Sequence, residues 1–455
     1  MGLLRILRFK RQFSKISELK REDVEAVQRE NIEKTLSHAF AYSPFYKEYY
    51  GREPRFGGDS EEPLSSVPFV DKQKIMDNLD SVFTSPLLNR GSIEQHMAGS
   101  PVGKRYLNKF TTLHTSGSSG NIGIFTYDPG SWDTLKALVL ARCTSFGISL
   151  RRKRLAFIGL TDGHYAGVTL ASDVPRLMAN YTDVSVNEPI SRMVGHLNGF
   201  QPDDLRGYPS GLVMLALEQQ AGRLDIKPKK VVSSAEPLDG KTAGLLEEVF
   251  GVYPYNFYAA SESIGMAQDC DLHCGLHVFN DLHALEIVDE KGETLPPGKP
   301  GAVVLTNLYN RCQPLIRYRM QDVAVYSEEE CDCGLPFPLL KNVYGRQEET
   351  IWVENRVGGF EVLHPMVFIE FFVPGLQRLQ VHQGRRNSIC LHVVARDDPD
   401  EVGAAVMERM NRLLADKNLE DVVEVDVEVV DAILPDKKTG KTKTVVSKVG
   451  PPKNI

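Results

Sequence analysis

The sequence predicts an α/β protein, with a large N-terminal domain of helices and mixed or parallel sheet (1–345) and a small α+β C-terminal domain (346–455). Three observations predict it. From about residue 110, apolar runs of strand length alternate with segments of helical period, the pattern of βαβ units. After about residue 275 the texture becomes strand, turn, strand, with turn chemistry at Lys291-Gly292 and Pro296-Pro297-Gly298. Beyond Gly345 the chain reads as a hairpin, an amphipathic helix and a strand, which sets the domain boundary near Gly345-Arg346.

The elements follow in order. Residues 1–50 are a helical N-terminal segment. Its first 21 residues interleave Arg5, Arg8, Lys10, Arg11, Lys15, Lys20 and Arg21 with Leu3, Leu4, Ile6, Leu7, Phe9 and Phe13. That mixture reads as a packed or solvated terminal helix, with a membrane-surface helix as the alternative. Residues 22–42 have helical spacing, with Val24, Val27, Ile32 and Leu36 near one face, and Ser43-Pro44 breaks that helix. Residues 52–66 are loop-like. LAFIGL (155–160) is a strand, and GLVMLALEQQAG (211–222) is a helix ending at a Gly. KKVVSSAEPL (229–238) is strand then loop. GKTAGLLEEVFG (240–251) is a helix with a Gly stop, and VYPYNFYAAS (252–261) is strand then loop. Residues 282–308 form two strands around a turn. In the small domain, 376–395 is a hairpin around Gly384, 401–416 a helix and 423–433 a strand.

With 42% hydrophobic and 25% charged residues, the chain can build a sizeable core. A net charge of −7 argues against a nucleic-acid binder. No apolar run reaches bilayer-spanning length, and LLRILRF is interrupted by arginines, so no secretory signal is read. Gly2 lacks the downstream Ser or Thr of a myristoylation signal, because that position is Ile6. Seven cysteines, an odd number, favour a reducing compartment over a disulfide framework and place the protein in the cytoplasm.

Five stretches carry chemistry. TSGSSG places Thr115, Ser116, Gly117, Ser118, Ser119 and Gly120 together; it reads as a turn or as a phosphate cradle of backbone N–H and hydroxyl donors. No Lys follows Gly120, so it is not a P-loop. In NFYAASESIG (256–265), Tyr258, Ser261 and Glu262 are spaced as aromatic, hydroxyl and acid. They suit a purine face, a phosphate and Mg²⁺, or else a core Tyr with a capping Ser. PLIRYRMQDVA (314–324) carries Arg317, Arg319 and Asp322; the acid suits ribose hydroxyls, and the arginines would pair with phosphate or hold the acid. GRQEE (345–349) lies at the boundary, and DKKTGKTKTVV (436–446) is a basic turn. A sixth feature is metal-like. CDLHCGLH (270–277) and CDC (331–333) are mixed Cys/His clusters about sixty residues apart, able to close a tetrahedral Zn²⁺ site.

In this order the motifs resemble those of the adenylate-forming superfamily, and within it the phenylacetate–CoA ligase family. The similarity covers nearly the whole chain: SPFY (43–46), TSGSSG, GYPSGL (207–212), SSAEPL (233–238), YAASES, LIRYRMQD, the Gly345-Arg346 pair and the terminal Gly440-Lys441. The resemblance implies a large adenylate-forming domain and a small mobile C-terminal domain. It implies ATP, Mg²⁺ and coenzyme A as cofactors and a small-molecule carboxylic acid as substrate. The acid would become an acyl-adenylate and then a CoA thioester.

It also implies residue roles. Residues 115–120 would hold the β- and γ-phosphates. Ala235, Glu236, Pro237 and Tyr258 would line the nucleotide, Ser261 contact phosphate, Glu262 ligate Mg²⁺ and Asp322 bind ribose. Arg346 would lie near the nucleotide, and Glu348 at the hinge. Gly358 and Gly359 would line the CoA tunnel. Lys441 would offset charge developing at the α-phosphate, with Lys443 competing for that role. The sequence departs from the family pattern where Ser118 and Ser119 replace Thr, where Met320-Gln321 replaces Thr-Gly, and where TKTVV lacks an Arg before its Val.

By the register of the family's zinc-bearing members, Cys270, His277, Cys331 and Cys333 would be structural Zn²⁺ ligands, with His273 and Cys274 as spare candidates. His164 and Tyr165 fall in the family's substrate-facing segment and suggest an aryl or arylacetic acid. A carrier protein as acceptor, AMP transfer to a cofactor, a non-catalytic nucleotide-binding role and a homodimer stay open.

Overall fold

The structure is a computed structural model. It describes residues 2–54, 64, 67–115, 123–143, 152–174, 179–289, 291–344, 351–363, 367–368, 371, 373–433 and 444–449. The chain divides into two compact units. The first comprises 1–114, 124–151 and 255–345; the second comprises 115–123, 152–254 and 346–455.

The first unit begins with α1 (Gly2–Ile16), α2 (Arg21–Tyr42) and α3 (Pro44–Tyr50). Ile6, Phe13 and Ile16 of α1 are buried, and Arg5 pairs with the buried Asp133 at 3.1 Å. The terminal helix is therefore a packed one. In α2 the apolar face is Val24, Ile32, Leu36 and Ala39, while Val27 is only half-buried. Ser43-Pro44 ends α2 and at once starts α3. Ser43 accepts from the Tyr46 N–H, and Pro44 fills the first helical turn, where its missing N–H costs nothing. Three short helices, α4 (Lys72–Asp77), α5 (Leu79–Val82) and α6 (Arg90–Gly99), follow; α4 and α6 are capped by the side chains of Asp71 and Asn89.

Strands β1 (Thr111–His114) and β2 (Ile124–Tyr127) pair antiparallel, and α7 (Pro129–Leu138) follows, capped by Asp128.

The second unit takes up the parallel sheet. Strands β3 (Lys153–Gly159), β4 (Ala179–Ser185), β5 (Asp204–Gly207) and β6 (Lys230–Ser234) run in the order β6-β5-β3-β4, all parallel. The crossovers carry α8 (Ala166–Ser172), α9 (Ile190–Phe200) and α10 (Pro209–Gln220). Gly207 is obligatory at the end of β5, because a Cβ there would lie 2.3 Å from the Ile158 carbonyl oxygen. α11 (Gly240–Phe250) is capped by Asp239 and ends on Gly251 at φ 74°.

The chain then returns to the first unit. β7 (Tyr255–Tyr258), β8 (Ala267–Asp269), β9 (Leu276–Val278), β10 (His283–Val288), β11 (Gly301–Asn307), β12 (Tyr318–Tyr326) and β13 (Leu339–Tyr344) are ordered β10-β11-β12-β13-β9-β8-β7, with neighbouring strands antiparallel throughout. This matches the strand–turn–strand texture read after residue 275. A buried bidentate pair, Arg142 with Asp281 at 2.7 and 2.9 Å, sits among Phe13, Phe279 and Phe337.

The last stretch belongs to the second unit. β14 (Ile351–Glu354) and β15 (Phe360–Leu363) form a hairpin. β16 (Leu376–Arg385) and β17 (Ser388–Ala395) form the expected hairpin, flanked by β18 (Glu424–Val429) and β19 (Val445–Ser447) in the order β18-β17-β16-β19. α12 (Pro399–Asp416) is capped by Asp398 and buries Val402, Val406, Met410, Leu413 and Leu414. The mixed α/β architecture is the one expected. Among the described residues no helix is long and apolar enough to cross a membrane.

Candidate active site and metal centre

The Ser/Gly stretch connects β1 to β2, so its stems are fixed by that pair. Across its base the Thr115 N–H donates to the Gly123 carbonyl at 2.7 Å, and the Gly123 N–H donates to Thr115 Oγ1 at 2.8 Å. Ser116, Gly117, Ser118, Ser119 and Gly120 lie outside the described residues. The stems meet the YAASES turn. Tyr127 Oη, from β2, donates to the Ser261 carbonyl at 3.0 Å, and Ser261 Oγ approaches the His114 carbonyl at 3.5 Å. The strand leading into the Ser/Gly stretch and the YAASES turn, 147 residues apart at His114 and Ser261, thus meet within the first unit.

β7 ends at Tyr258, whose ring is almost wholly buried. Its hydroxyl donates to Asp322 Oδ2 at 2.7 Å. Burial, then the Asp322 charge, push the phenol well above its ordinary range, so it stays protonated and a donor. Glu262 lies on the following turn and accepts from Tyr318 Oη at 3.4 Å. Burial raises the Glu262 carboxyl, and the Lys72 charge opposes the rise. The corner therefore presents an acid held by a phenol, a second acid near an ammonium group, and a serine, all beside the loop stems. Two carboxylates with fixed orientation suit ribose hydroxyls and a hard divalent cation. Tyr127, Tyr318 and Lys72 are contributions that the sequence motifs did not single out. Tyr318 lies inside the LIRYRMQD stretch, so its period-two relation to Met320 and Asp322 on β12 was the available signal.

Arg317 departs from expectation. Its side chain is engaged with Glu286 rather than shown on Asp322. Its guanidinium is bidentate to Glu286 at 2.7 and 3.1 Å, donates to the Val67 carbonyl at 2.7 Å and lies 4.0 Å from the Phe69 ring centroid. The cause is the sheet order: β12 pairs with β11 and β11 with β10, which carries Glu286. Arg319, by contrast, is exposed.

The second unit holds the other candidates. Ser210, from GYPSGL, donates through Oγ to Glu236 Oε2 at 2.7 Å and through its N–H at 3.2 Å, joining that motif to SSAEPL. Ala235, next to Glu236, adopts φ 71° and is exposed. A left-handed alanine costs energy, and such strain concentrates where backbone groups must be presented; Pro237 follows it. His164 is buried at 2% exposure, and Tyr165 opens α8. A Cβ on Gly167 would lie 2.5 Å from Phe157 Cζ, so this segment packs closely on β3. Gly358 at φ 76° and Gly359 form the β14–β15 turn, where the Asn355 side chain accepts from the Gly359 N–H at 2.8 Å. Arg346, Glu348, Lys441 and Lys443 lie outside the described residues.

The Cys/His clusters come together within the first unit. Cys270, His277, Cys331 and Cys333 place their ligand atoms within 4.8 Å of one another. Cys270 Sγ is 3.6 Å from Cys331 Sγ, and Cys333 Sγ is 3.3 Å from His277 Nε2. A tetrahedral Zn²⁺ with ordinary bond lengths has S···S edges of about 3.8 Å and S···N edges of about 3.6 Å, so these two edges match within a few tenths of an ångström. His277 Nδ1 is 3.4 Å from the Phe337 carbonyl, which leaves Nε2 facing the thiols. Of the spare candidates, His273 Nδ1 lies 2.7 Å from Asp269 Oδ2, whereas Cys274 is exposed, with its thiol on the Leu272 carbonyl and also interacting with the Cys331 thiol.

No protein-family model matches the chain. It is similar to the phenylacetate–coenzyme A ligase of Thermus thermophilus, 24% identical over 352 residues, covering 74% of this chain and 73% of that protein. The Pseudomonas putida phenylacetate–coenzyme A ligase is 24% identical over 322 residues, 66% of each chain. The chain thus spans between two thirds and three quarters of these relatives. Among solved structures, 2-hydroxyisobutyryl-CoA ligase bound to 2-HIB-AMP and CoA in its thioesterification state has a TM-score of 0.60 at 20% identity, covering 95% of this chain and 91% of that one. The same enzyme in the postadenylation state gives 0.59 at 18% identity, covering 94% and 90%. These comparisons bear out the resemblance to phenylacetate–CoA ligases and the adenylate-forming fold.

Proposed function

We propose that this chain is an ATP-dependent, AMP-forming acid–CoA ligase. A carboxylate oxygen attacks the ATP α-phosphorus, the bond to the bridging oxygen breaks, and pyrophosphate leaves. The CoA thiolate then attacks the acyl carbon of the adenylate, and AMP leaves with the electron pair of the broken C–O bond. The observation that carries this reading is the joining of Tyr258, Asp322, Ser261 and Glu262 at the stems of the Ser/Gly loop, in a chain similar to phenylacetate–CoA ligases.

In this reading Asp322, oriented by Tyr258, takes the ribose hydroxyls, and Ser261 with residues 115–120 takes the phosphates. Glu262 holds Mg²⁺, which supplies positive charge against the polyphosphate. Ala235, Glu236 and Pro237 present backbone toward the nucleotide, and Arg346 joins it. Lys441 stabilises charge at the α-phosphate, an electrostatic role that needs no covalent intermediate. Glu348 is the hinge of a small domain beginning at 346, and Gly358-Gly359 admit the pantetheine arm. His164 and Tyr165 favour an aryl or arylacetic acid. Zn²⁺ held by Cys270, His277, Cys331 and Cys333 is structural, because four protein ligands leave no open position. Seven free cysteines fit a reducing cytoplasm.

The test is acid-dependent exchange of labelled pyrophosphate into ATP across a panel of carboxylic acids, with the parent protein and Lys441→Ala. The reading expects exchange in the parent and its loss in the variant, while the variant still forms thioester from supplied acyl-adenylate. No exchange with any acid would sink it.

A further inference from the structure

The sheet of β16–β19 is two-faced. Val381, Ile389, Leu391 and Val393 point to the core side and are fully buried, as are Val406 and Met410 of α12, which packs on β17 and β18. The alternate residues on the other face are unusual. Register places His382 opposite Cys390, Gln380 opposite His392, Cys390 opposite Asp426 and His392 opposite Glu428. With a period of two, all six project from one side. Nothing in packing calls for a cysteine and two histidines on a face that is only half-buried; cysteine is among the residues most often found in the interior.

Three of these groups converge. The ligand atoms of Cys390, His392 and Glu428 lie within 4.8 Å of one another. His392 Nε2 is 3.3 Å from Glu428 Oε2, close to the edge of about 3.3–3.4 Å between N and O ligands on a tetrahedral Zn²⁺. The His382 ring packs against His392 at 4.3 Å between centroids, tilted by 36°, and its Nε2 lies 2.9 Å from Gln380 Oε1. This packing restricts rotation of the His392 ring.

We infer that Cys390 Sγ, the His392 imidazole and the Glu428 carboxylate form a second divalent transition-metal site on the outer face of the C-terminal sheet, with His382 as a positioning residue. The donors span thiolate, imidazole and carboxylate, the set that Zn²⁺ accepts. A thiolate and a carboxylate balance a divalent charge. Three protein ligands leave the fourth position to water or a small anion, unlike the closed Cys₃His arrangement of the first unit. The site is independent of the ligase reading.

The experiment is titration of the metal-stripped full chain with Zn²⁺, and with Co²⁺ as a spectroscopic probe of thiolate ligation. The parent is expected to bind two equivalents in two phases. Cys390→Ser with His392→Ala should remove the weaker phase or weaken it at least tenfold, and leave the tighter one intact. Cys331→Ser should do the reverse, so failure of one site is distinguishable from failure of the other. His382→Ala should weaken the second phase without abolishing it. These residues lie off the core, so an unchanged thermal transition checks that the variants fold. A second phase that persists unaltered in the double variant would overturn the inference. So would a parent that binds nothing beyond the Cys331-dependent equivalent.

Discussion

The Tyr258 hydroxyl donates to Asp322 Oδ2 at 2.7 Å, tying the YAASES turn to the LIRYRMQD strand. A buried phenol on a carboxylate fixes which oxygen is left to face a ligand. A hydrogen bond to a charged group contributes about 1.5–3 kcal/mol. Tyr258→Phe removes only the bond that orients Asp322, so it should forfeit part of that energy, about 0.7–1.4 kcal/mol, and raise the KM for ATP by roughly three- to tenfold, while Asp322→Ala should raise it by more than about tenfold. Steady-state kinetics at saturating acid and CoA check this. Unchanged KM in Asp322→Ala would remove it from the nucleotide site.

Arg317 makes the opposite prediction. Its partner is Glu286, and both lie at low exposure. Arg317→Ala strands a mostly buried carboxylate, 14% exposed, which costs up to about 3–5 kcal/mol. Denaturant unfolding should show that loss, with the KM for ATP within about twofold of the parent wherever the variant is folded. A large KM effect without a stability loss would return Arg317 to the phosphate site.

For the Cys/His centre, Cys331→Ser and His277→Ala should lose zinc and lower the thermal transition, whereas Cys274→Ser and His273→Ala should keep both. Elemental analysis and calorimetry read this directly. Zinc retained in Cys331→Ser would refute the ligand set.

Much of this architecture was legible because its signals are local. LAFIGL and KKVVSSAEPL are short apolar runs closed by loop residues, and they became β3 and β6. The YAASES and Asp322 stretches meet at the Tyr258–Asp322 hydrogen bond. What stayed hidden depends on strand order and register. Glu286 as the partner of Arg317 follows only once β10, β11 and β12 are known to be adjacent. The convergence of Glu428 with Cys390 and His392 requires the parallel register of β17 and β18, because along the chain the acid lies 36 residues beyond His392. Ser43-Pro44 was legible as a break but not as a new start, because a capping Ser followed by Pro serves both ends.

Lys417 supplies a pH test. It follows α12, is fully buried and donates to the Glu188 carbonyl at 3.2 Å. Burial lowers its pKa to about 8, with Glu361 opposing. Between that value and the ordinary lysine range, the unfolded chain binds a proton that the folded one lacks, so stability rises with pH across that window. Relative to Lys417→Met, the parent should therefore gain on the order of 2–3 kcal/mol between pH 8 and pH 10. Parallel unfolding curves at both pH values would show no such linkage.

The most direct test of the ligase reading is to incubate the protein with ATP, Mg²⁺ and a panel of aryl and arylacetic acids, with and without CoA, and to quantify AMP and acyl-CoA by mass spectrometry. The account predicts AMP and acyl-CoA formed one to one, only when acid and CoA are both present. AMP formed in equal amount without CoA and with no thioester, across every acid, would contradict it.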